Sequence, residues 1–207
     1  MEVSVVIPNF NGIAFLDSVL GSLEGQTIKN FEVIFVDNGS SDGSCSFVAA
    51  NYPWVHIIEL PENFGFCRAV NEGIRASRAP YVLLLNNDTE VQPDFVEEML
   101  LAIRRHGKAF SCGAKMVQYH DRDRLDDAGD FYCALGWSFA RGKDKDIRSC
   151  DREDKVFSAC GGAAIYSRGL DTLTKNILHI WKIWISVTEP GSMDMRTGTP
   201  RKQWYIM

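Results

Sequence analysis

Phe31-Glu32-Val33-Ile34-Phe35-Val36-Asp37-Asn38-Gly39-Ser40 is the stretch on which the fold reading turns. Residues 31–36 form an unbroken apolar run rich in β-branched and aromatic side chains, which predicts a buried strand. Asp37, Asn38 and Gly39 then stop it with turn chemistry. The same unit recurs on either side. Residues 3–8, 55–60 and 81–85 read as strands. Residues 15–23 carry apolar side chains at helical spacing (Phe15, Leu16, Val19, Leu20, Leu23), and residues 45–51, 68–76 and 93–104 also read as helices. Pro93 is placed in the first turn of the last of these, where its missing N–H costs nothing.

Strand and helix alternate four times, which implies an α/β domain with a mostly parallel sheet flanked by helices. In such sheets ligands bind beyond the carboxyl ends of the strands. Each of the four strands ends in small polar residues: Pro8-Asn9-Phe10-Asn11-Gly12, then Asp37 to Ser44, then Glu62 to Asn71, then Asn86-Asn87-Asp88. An aspartate there can accept hydrogen bonds from a pyrimidine edge or from ribose hydroxyls, and an asparagine can both donate and accept. Asp88, with Asn86 two residues earlier, offers hard oxygen ligands for a divalent cation, Mg²⁺ or Mn²⁺. Such an ion stabilises a departing diphosphate. Taken singly, Asp37 reads as a turn residue and the Asn86–Asp88 run as a helix cap or loop. Four such ends on one sheet edge favour a ligand site.

Further along, residues 118–130 are strongly charged and read as a surface loop, and residues 156–166 read as another buried segment. Gly161 and Gly162 are read there as a place of close backbone approach, with a bulge or tight packing as the plain alternative.

Composition bounds the class. The chain has 207 residues and a hydrophobic fraction of 45%, enough for one packed domain. A net charge of −5 argues against nucleic acid as a partner. The six cysteines include no C-x-x-C pair and read as free thiols of a reducing compartment. Met1 opens almost directly into the first strand, so a cytoplasmic location is expected. Residues 177–187 are interrupted by His179 and Lys182 and are too short to span a bilayer. Peripheral attachment at the inner face of the membrane stays open.

The motifs V-S-V-V-I-P-N-F-N-G, V-I-F-V-D-N-G-S-S-D-G-S, E-N-F-G-F-C-R-A-V-N-E-G-I and L-L-L-N-N-D-T-E-V, in this order and spacing, resemble the successive signatures of family 2 glycosyltransferases. The likeness runs from Glu2 to about Arg168. It implies a GT-A, Rossmann-like fold and transfer of a sugar from a UDP- or dTDP-linked donor to a glycan or lipid-linked acceptor, with inversion. By the resemblance, Pro8, Asn9 and Asn11 line the nucleotide pocket and Asp37 binds the base. Asn63, Gly65, Arg68 and Asn71 shape the nucleotide side. Asn87 and Asp88 fall on the D-x-D-like motif, with Asp88 at the metal. This chain has N-N-D there, so a looser metal site is expected. Leu125-Asp126-Asp127-Ala128-Gly129 resembles the family's segment near the sugar, and residues 159–164 resemble its small-residue strand near the acceptor. N-N-D-T-E also resembles members that use deoxysugar donors.

After Arg168 the resemblance stops. The E-D or D-D pair that supplies the family's general base is missing, so the catalytic base is unknown. Asp171, Glu189, Asp194, Trp181 and Trp184 fit no family pattern. A shifted reading frame accounts for this. Trp has a single codon, so Trp181-Lys182 forces Glu and Trp184-Ile185 forces Asp in that frame, giving E-x-x-D. The expected organisation is a domain over residues 1–169, incomplete at its C-terminus, and a poorly structured non-family tail over residues 170–207. The competing reading is a relic that binds nucleotide without transferring sugar. A nucleotidyltransferase is disfavoured because Asn9-Phe10-Asn11-Gly12 stands where a basic, Gly-rich phosphate loop belongs. No G-x-G-x-x-G or G-x-x-x-x-G-K is present, which argues against dinucleotide and P-loop enzymes.

Overall fold

A computed structural model describes residues 1–107, 109–135, 137–168, 196–198 and 204–206. The four expected strand–helix units form in order: β1 (Val3–Asn9), α1 (Ile13–Glu24), β2 (Phe31–Asp37), α2 (Ser44–Asn51), β3 (His56–Glu59), α3 (Phe66–Ala76), β4 (Tyr81–Leu85) and, after the short β5 (Glu90–Val91), α4 (Phe95–Arg105). Then come β6 (Ala109–Gly113), β7 (Lys115–Val117), β8 (Leu125–Asp127), β9 (Asp130–Tyr132), β10 (Ser138–Ala140), a 3₁₀ turn (Ile147–Cys150) and β11 (Ala163–Ser167). Two short strands close the order, β12 (Arg196–Gly198) and β13 (Trp204–Ile206).

The main sheet runs β12-β6-β11-β4-β1-β2-β3. β1 pairs in parallel with β2 and β4, and β2 pairs in parallel with β3. β11 is antiparallel to both β4 and β6. The sheet is thus mostly parallel, with one reversed strand inserted. Alternate residues of the central strands feed two cores. Val3, Val5, Ile7, Val33, Phe35, Leu83 and Leu85 pack on the side of α1 and α4, while Val6, Ile34, Val36, Val82 and Leu84 pack on the side of α3. Both faces are covered, which is why these strands are continuously apolar. Each fully buried aliphatic side chain contributes about 1.5–3 kcal/mol.

Several expectations are corrected in detail. Phe15 belongs to α1 but is 51% exposed; Leu16, Val19, Leu20 and Leu23 make the buried stripe. Pro93 precedes the Asp94 cap of α4 rather than entering the helix, and its carbonyl accepts from the Thr27 N–H. The stretch 118–130 is not all surface loop. Leu125–Asp127 forms β8, antiparallel to β7, and Leu125, Asp127 and Ala128 are buried. Its charge pattern hid a second, smaller sheet of order β5-β13-β7-β8.

In the tail, β12 pairs with β6, and β13 pairs with β7 and β5. The segment in which the shifted frame places E-x-x-D, with Asp171, Trp181, Trp184, Glu189 and Asp194, lies outside the described residues, as do residues 177–187. Among the described residues, no helix is long and apolar enough to cross a membrane. All six cysteines are free thiols.

Candidate functional site

The parallel pairing of β1, β2 and β4 brings their carboxyl ends side by side, and the polar strand ends lock onto one another there. Asn9 is buried at the end of β1. Its Nδ2 donates to Asp37 Oδ1 (2.9 Å) and to Ser40 Oγ (3.2 Å), and its Oδ1 accepts from Asn87 Nδ2 (2.6 Å). Asp37 accepts in addition from the Ser40 N–H (2.8 Å) and the Ser40 hydroxyl (2.6 Å). Three strand ends are therefore cross-linked by one asparagine. Gly12 leaves room for this: a Cβ there would lie 2.1 Å from Asn87 Nδ2 and 2.5 Å from Asn9 Oδ1.

The end of β2 grips the next loop in the same way. Asn38 Nδ2 donates to Asn63 Oδ1 (2.8 Å), and Asn38 Oδ1 accepts from the Phe64 N–H (3.0 Å). Asn63 Oδ1 also accepts from the Gly65 N–H (2.9 Å). Gly65 caps α3 with φ +85° and ψ 162°, a conformation essentially confined to glycine. Asn11, itself at φ +50°, accepts from the Ser41 N–H (2.9 Å), while its own N–H donates to Ser40 Oγ (2.8 Å).

Between these ends opens a cleft of about 370 Å³. Of the ten site residues named from sequence, Pro8, Asn9, Asn63, Gly65, Asn87 and Asp88 line it, as does Asn86, named beside Asp88. The other four stand elsewhere. Asp37 lies behind the wall and holds Asn9; Asn11 braces the loop at 40–41. Arg68 is exposed on α3, paired with Glu72 (2.7 Å). Asn71 is buried on α3, and among the described residues its Nδ2 has no hydrogen-bond partner.

Asp88 is exposed at the rim. Among the described residues, no group of three or more His, Cys, Asp or Glu side chains is arranged to hold a metal ion. The donor set therefore fits a cation that takes one carboxylate from the protein and its remaining ligands from water and phosphate oxygens, as Mg²⁺ commonly does.

Beyond the cleft, β11 carries the small residues Ala163 and Ala164, and the Gly162 carbonyl accepts from the Asn86 N–H (2.8 Å). A Cβ at Gly161 would meet open space, so the close approach expected there falls on the Gly162 carbonyl alone. Asp127 is buried beside this segment. Burial, then the charges of Asp130 and Asp126, push its carboxyl up to about 7, against the pull of the Gly129 N–H at 2.6 Å. Burial also raises Asp130, which accepts from the Ser158 hydroxyl (3.0 Å), and pushes the Cys160 thiol up to about 12.

The family model described as "Glycosyl transferase family 2" matches residues 4–173. The chain belongs to that family. EpsH of Bacillus subtilis, which carries a glycosyltransferase name, is 32% identical over 101 residues, 47% of this chain and 29% of EpsH. Glycosyltransferase GlyG of Streptococcus pneumoniae is 26% identical over 133 residues, 63% of this chain and 42% of GlyG. The alignments thus span less than half the length of these two relatives. Among solved structures, residues 1–349 of TarS from S. aureus superpose over 100% of this chain and 60% of that one, with a TM-score of 0.65 at 17% identity. TarS in complex with UDP-GlcNAc matches 57% of this chain and 35% of that one, with a TM-score of 0.53 at 23% identity. These likenesses establish the GT-A fold.

In this family 2 member, sequence reading missed Asn38, Ser40, Phe10 and Phe66. Phe10, Asn38 and Phe66 line the cleft, and Ser40 ties Asn9, Asn11 and Asp37 together. Asn38 and Ser40 read as ordinary turn residues, since D-N-G-S is explained locally. Phe10 and Phe66 carried a signal in N-F-N-G and F-G-F, where an aromatic beside turn residues stays exposed.

Proposed function

We propose that the cleft holds the nucleoside diphosphate part of a UDP- or dTDP-linked sugar, and that the whole protein transfers the sugar to a glycan or lipid-linked acceptor with inversion. The observation that carries this reading is the convergence of four polar strand ends on one cleft, with one exposed carboxylate, Asp88, among its described lining residues. In this reading the exposed rings of Phe10 and Phe66 offer apolar faces to the base. Asn38, Asn63 and Asn9 offer paired donors and acceptors to the base edge and ribose. Asp37 acts on the base through Asn9, or directly through the lone pairs its partners leave free. Arg68 and Asn71 would reach the nucleotide by rearranging.

A divalent cation at Asp88, when bound, neutralises the charge that builds on the departing diphosphate. In the transfer itself the acceptor oxygen bonds to the anomeric carbon as the bond to the diphosphate breaks. The electron pair leaves with the phosphate oxygen, and the hydroxyl proton passes to a base. No E-D or D-D pair follows Arg168 in the sequence, which favours a second reading for the chain as it stands: a nucleotide-binding relic without turnover.

Calorimetry with UDP and dTDP, with and without Mn²⁺, tests the reading. Affinity is expected to tighten with Mn²⁺ in the wild type, and Asp88→Ala is expected to lose that tightening, about tenfold or more, while the fold is kept. Equal affinity with Mn²⁺ in the variant removes the metal assignment. Release of UDP from UDP-sugars, with acceptor extracts supplied, separates enzyme from relic.

A further inference from the structure

Another cavity, of about 350 Å³, opens at the opposite end of the main sheet from the nucleotide cleft. It is lined by Leu23, Glu24, Lys29, Phe31, Glu32 and Trp54. Leu23 and Glu24 end α1, Phe31 and Glu32 begin β2, and Trp54 stands in the connection from α2 to β3. Phe31 and Asp37 are the two ends of one seven-residue strand, so about 20 Å separates this cavity from the cluster around Asn9. A ligand here leaves the nucleotide cleft free. Trp54 has a fixed neighbour on one side. Its ring meets Tyr52 edge-on at 6.3 Å, and the Tyr52 hydroxyl donates to Asp17 Oδ1 on α1 at 2.7 Å. Trp54 is nonetheless 41% exposed.

Negative charge is in excess around this cavity. Glu24 and Glu32 line it against Lys29. The Lys29 ammonium donates to the Glu24 backbone carbonyl, at the negative end of the α1 dipole. Helix α1 has no basic residue in its own last turn, so Lys29 serves that end. The Glu24 side chain is exposed, and its carboxylate has no partner among the described residues. Glu32 accepts from the Ser4 hydroxyl (2.6 Å) and the Arg78 N–H (3.0 Å), both on Oε1, which leaves Oε2 its lone pairs. Two carboxylates beside an exposed indole suit a cation carried on an apolar stem. The charge meets carboxylate or ring face, and the stem meets Leu23 and Phe31. The neighbouring strand says what would carry that cation. β3 begins two residues after Trp54 and ends the main sheet; among the described residues it pairs with β2 alone. Its outer edge leaves backbone donors and acceptors open to an extended segment. A free amine would use the cavity only, whereas a protein strand uses the cavity and the edge together.

We propose that this corner is a docking site for an extended segment of a partner protein, which adds along β3 and lays an arginine side chain in the cavity. Arginine fits better than lysine, because its planar guanidinium both stacks on an aromatic face and pairs with carboxylates. Trp54 offers the face, and Glu24 and Glu32 offer the carboxylates. The proposal stands apart from the nucleotide reading of the other cleft.

NMR titration of the full chain tests it with three probes: the blocked peptide acetyl-Val-Arg-Val-amide, the same peptide with citrulline for arginine, and spermidine. Citrulline keeps the shape of arginine and loses the charge. The arginine peptide is expected to shift the β3 amides and the Trp54 indole. It should bind about tenfold or more tighter than the citrulline peptide and than spermidine. Trp54→Leu and Glu24→Gln are each expected to weaken the arginine peptide about threefold or more, read at the β3 amides. Both side chains are exposed, so both variants should fold and keep the wild-type affinity for UDP. Equal binding of the two peptides, no shift over the millimolar range, or unchanged affinity in both variants overturns the proposal. Spermidine binding as tightly as the arginine peptide also overturns it, in favour of a free amine. So does a wild-type dimer in sedimentation that Trp54→Leu disperses, since a second copy of the chain would then occupy the site.

Discussion

The strand ends around Asn9 and the chain from β8 to β10 solve opposite problems. Around Asn9, buried and half-buried polar side chains satisfy one another: Asp37 and Asn9, both buried, share donors and acceptors with the half-buried Ser40 and Asn87 in one cross-linked cluster. Such a cluster holds its shape without ligand, so the neighbouring cleft is preorganised. From β8 to β10 the balance reverses. Asp127 is buried and Asp130 half-buried where their charge is disfavoured, while Leu135 and Trp137 stand 80% and 70% exposed at the end of the β9–β10 hairpin. One region is finished by its own contacts; the other spends stability on a buried acid and leaves apolar surface in water. The self-satisfied cluster sits at the strand ends of the main sheet, whereas β8 belongs to the smaller four-stranded sheet and β9 and β10 pair only with each other among the described residues.

The largest break in this contrast is expected from Asp37→Ala. It takes Asp37 from the buried Asn9 amide, which keeps only Ser40 Oγ, and from the Ser40 N–H and hydroxyl, which costs about 2–3 kcal/mol by urea denaturation. It should also weaken UDP binding whether or not Mn²⁺ is present. A variant as stable as wild type, with equal UDP affinity, would mean the cluster neither supports the fold nor shapes the cleft.

Asp127→Asn addresses the second region. The folded chain holds this proton to about pH 7, whereas an ordinary carboxyl releases it near 3.8. A raised carboxyl contributes stability below its unfolded value that is lost as pH rises through its folded value. Wild-type Tm should therefore fall between about pH 4 and about pH 7, and the variant should fall less, with a residual slope from Asp130. The asparagine keeps an acceptor for the Gly129 N–H. An identical Tm profile in both proteins would show that Asp127 ionises in the fold without cost.

The smallest effect is expected at the hairpin. Trp137→Ser should change stability by no more than about 0.5 kcal/mol, because the side chain is mostly solvated. A clear loss of stability would mean the hairpin is covered in solution, and sedimentation of the wild type would then identify self-association as the cause.

Much of the first region was legible because its signals are local. A β-branched run followed by D-N-G-S names a buried strand and its stop, and four repeats of the unit place four polar ends on one edge. Six of the ten residues named for the site line one cleft for that reason. Asp37 was legible as important but not as a support, since only the pairing of β1 with β2 shows Asn9 lying against it. The second region was less legible. β8 is three residues long within a charged stretch, and nothing in L-D-D shows that Asp127 turns inward while Asp126 meets Lys143 at the surface.

By itself the sequence determined the order of strands and helices, the family, and the edge where polar groups gather, because periodicity and turn chemistry act between near neighbours. Tertiary structure alone decided which of those groups face a ligand and which face each other. It also decided which acid is buried. Those outcomes depend on contacts between residues dozens of positions apart, such as Asn9 and Asn87, which meet only when the sheet is assembled.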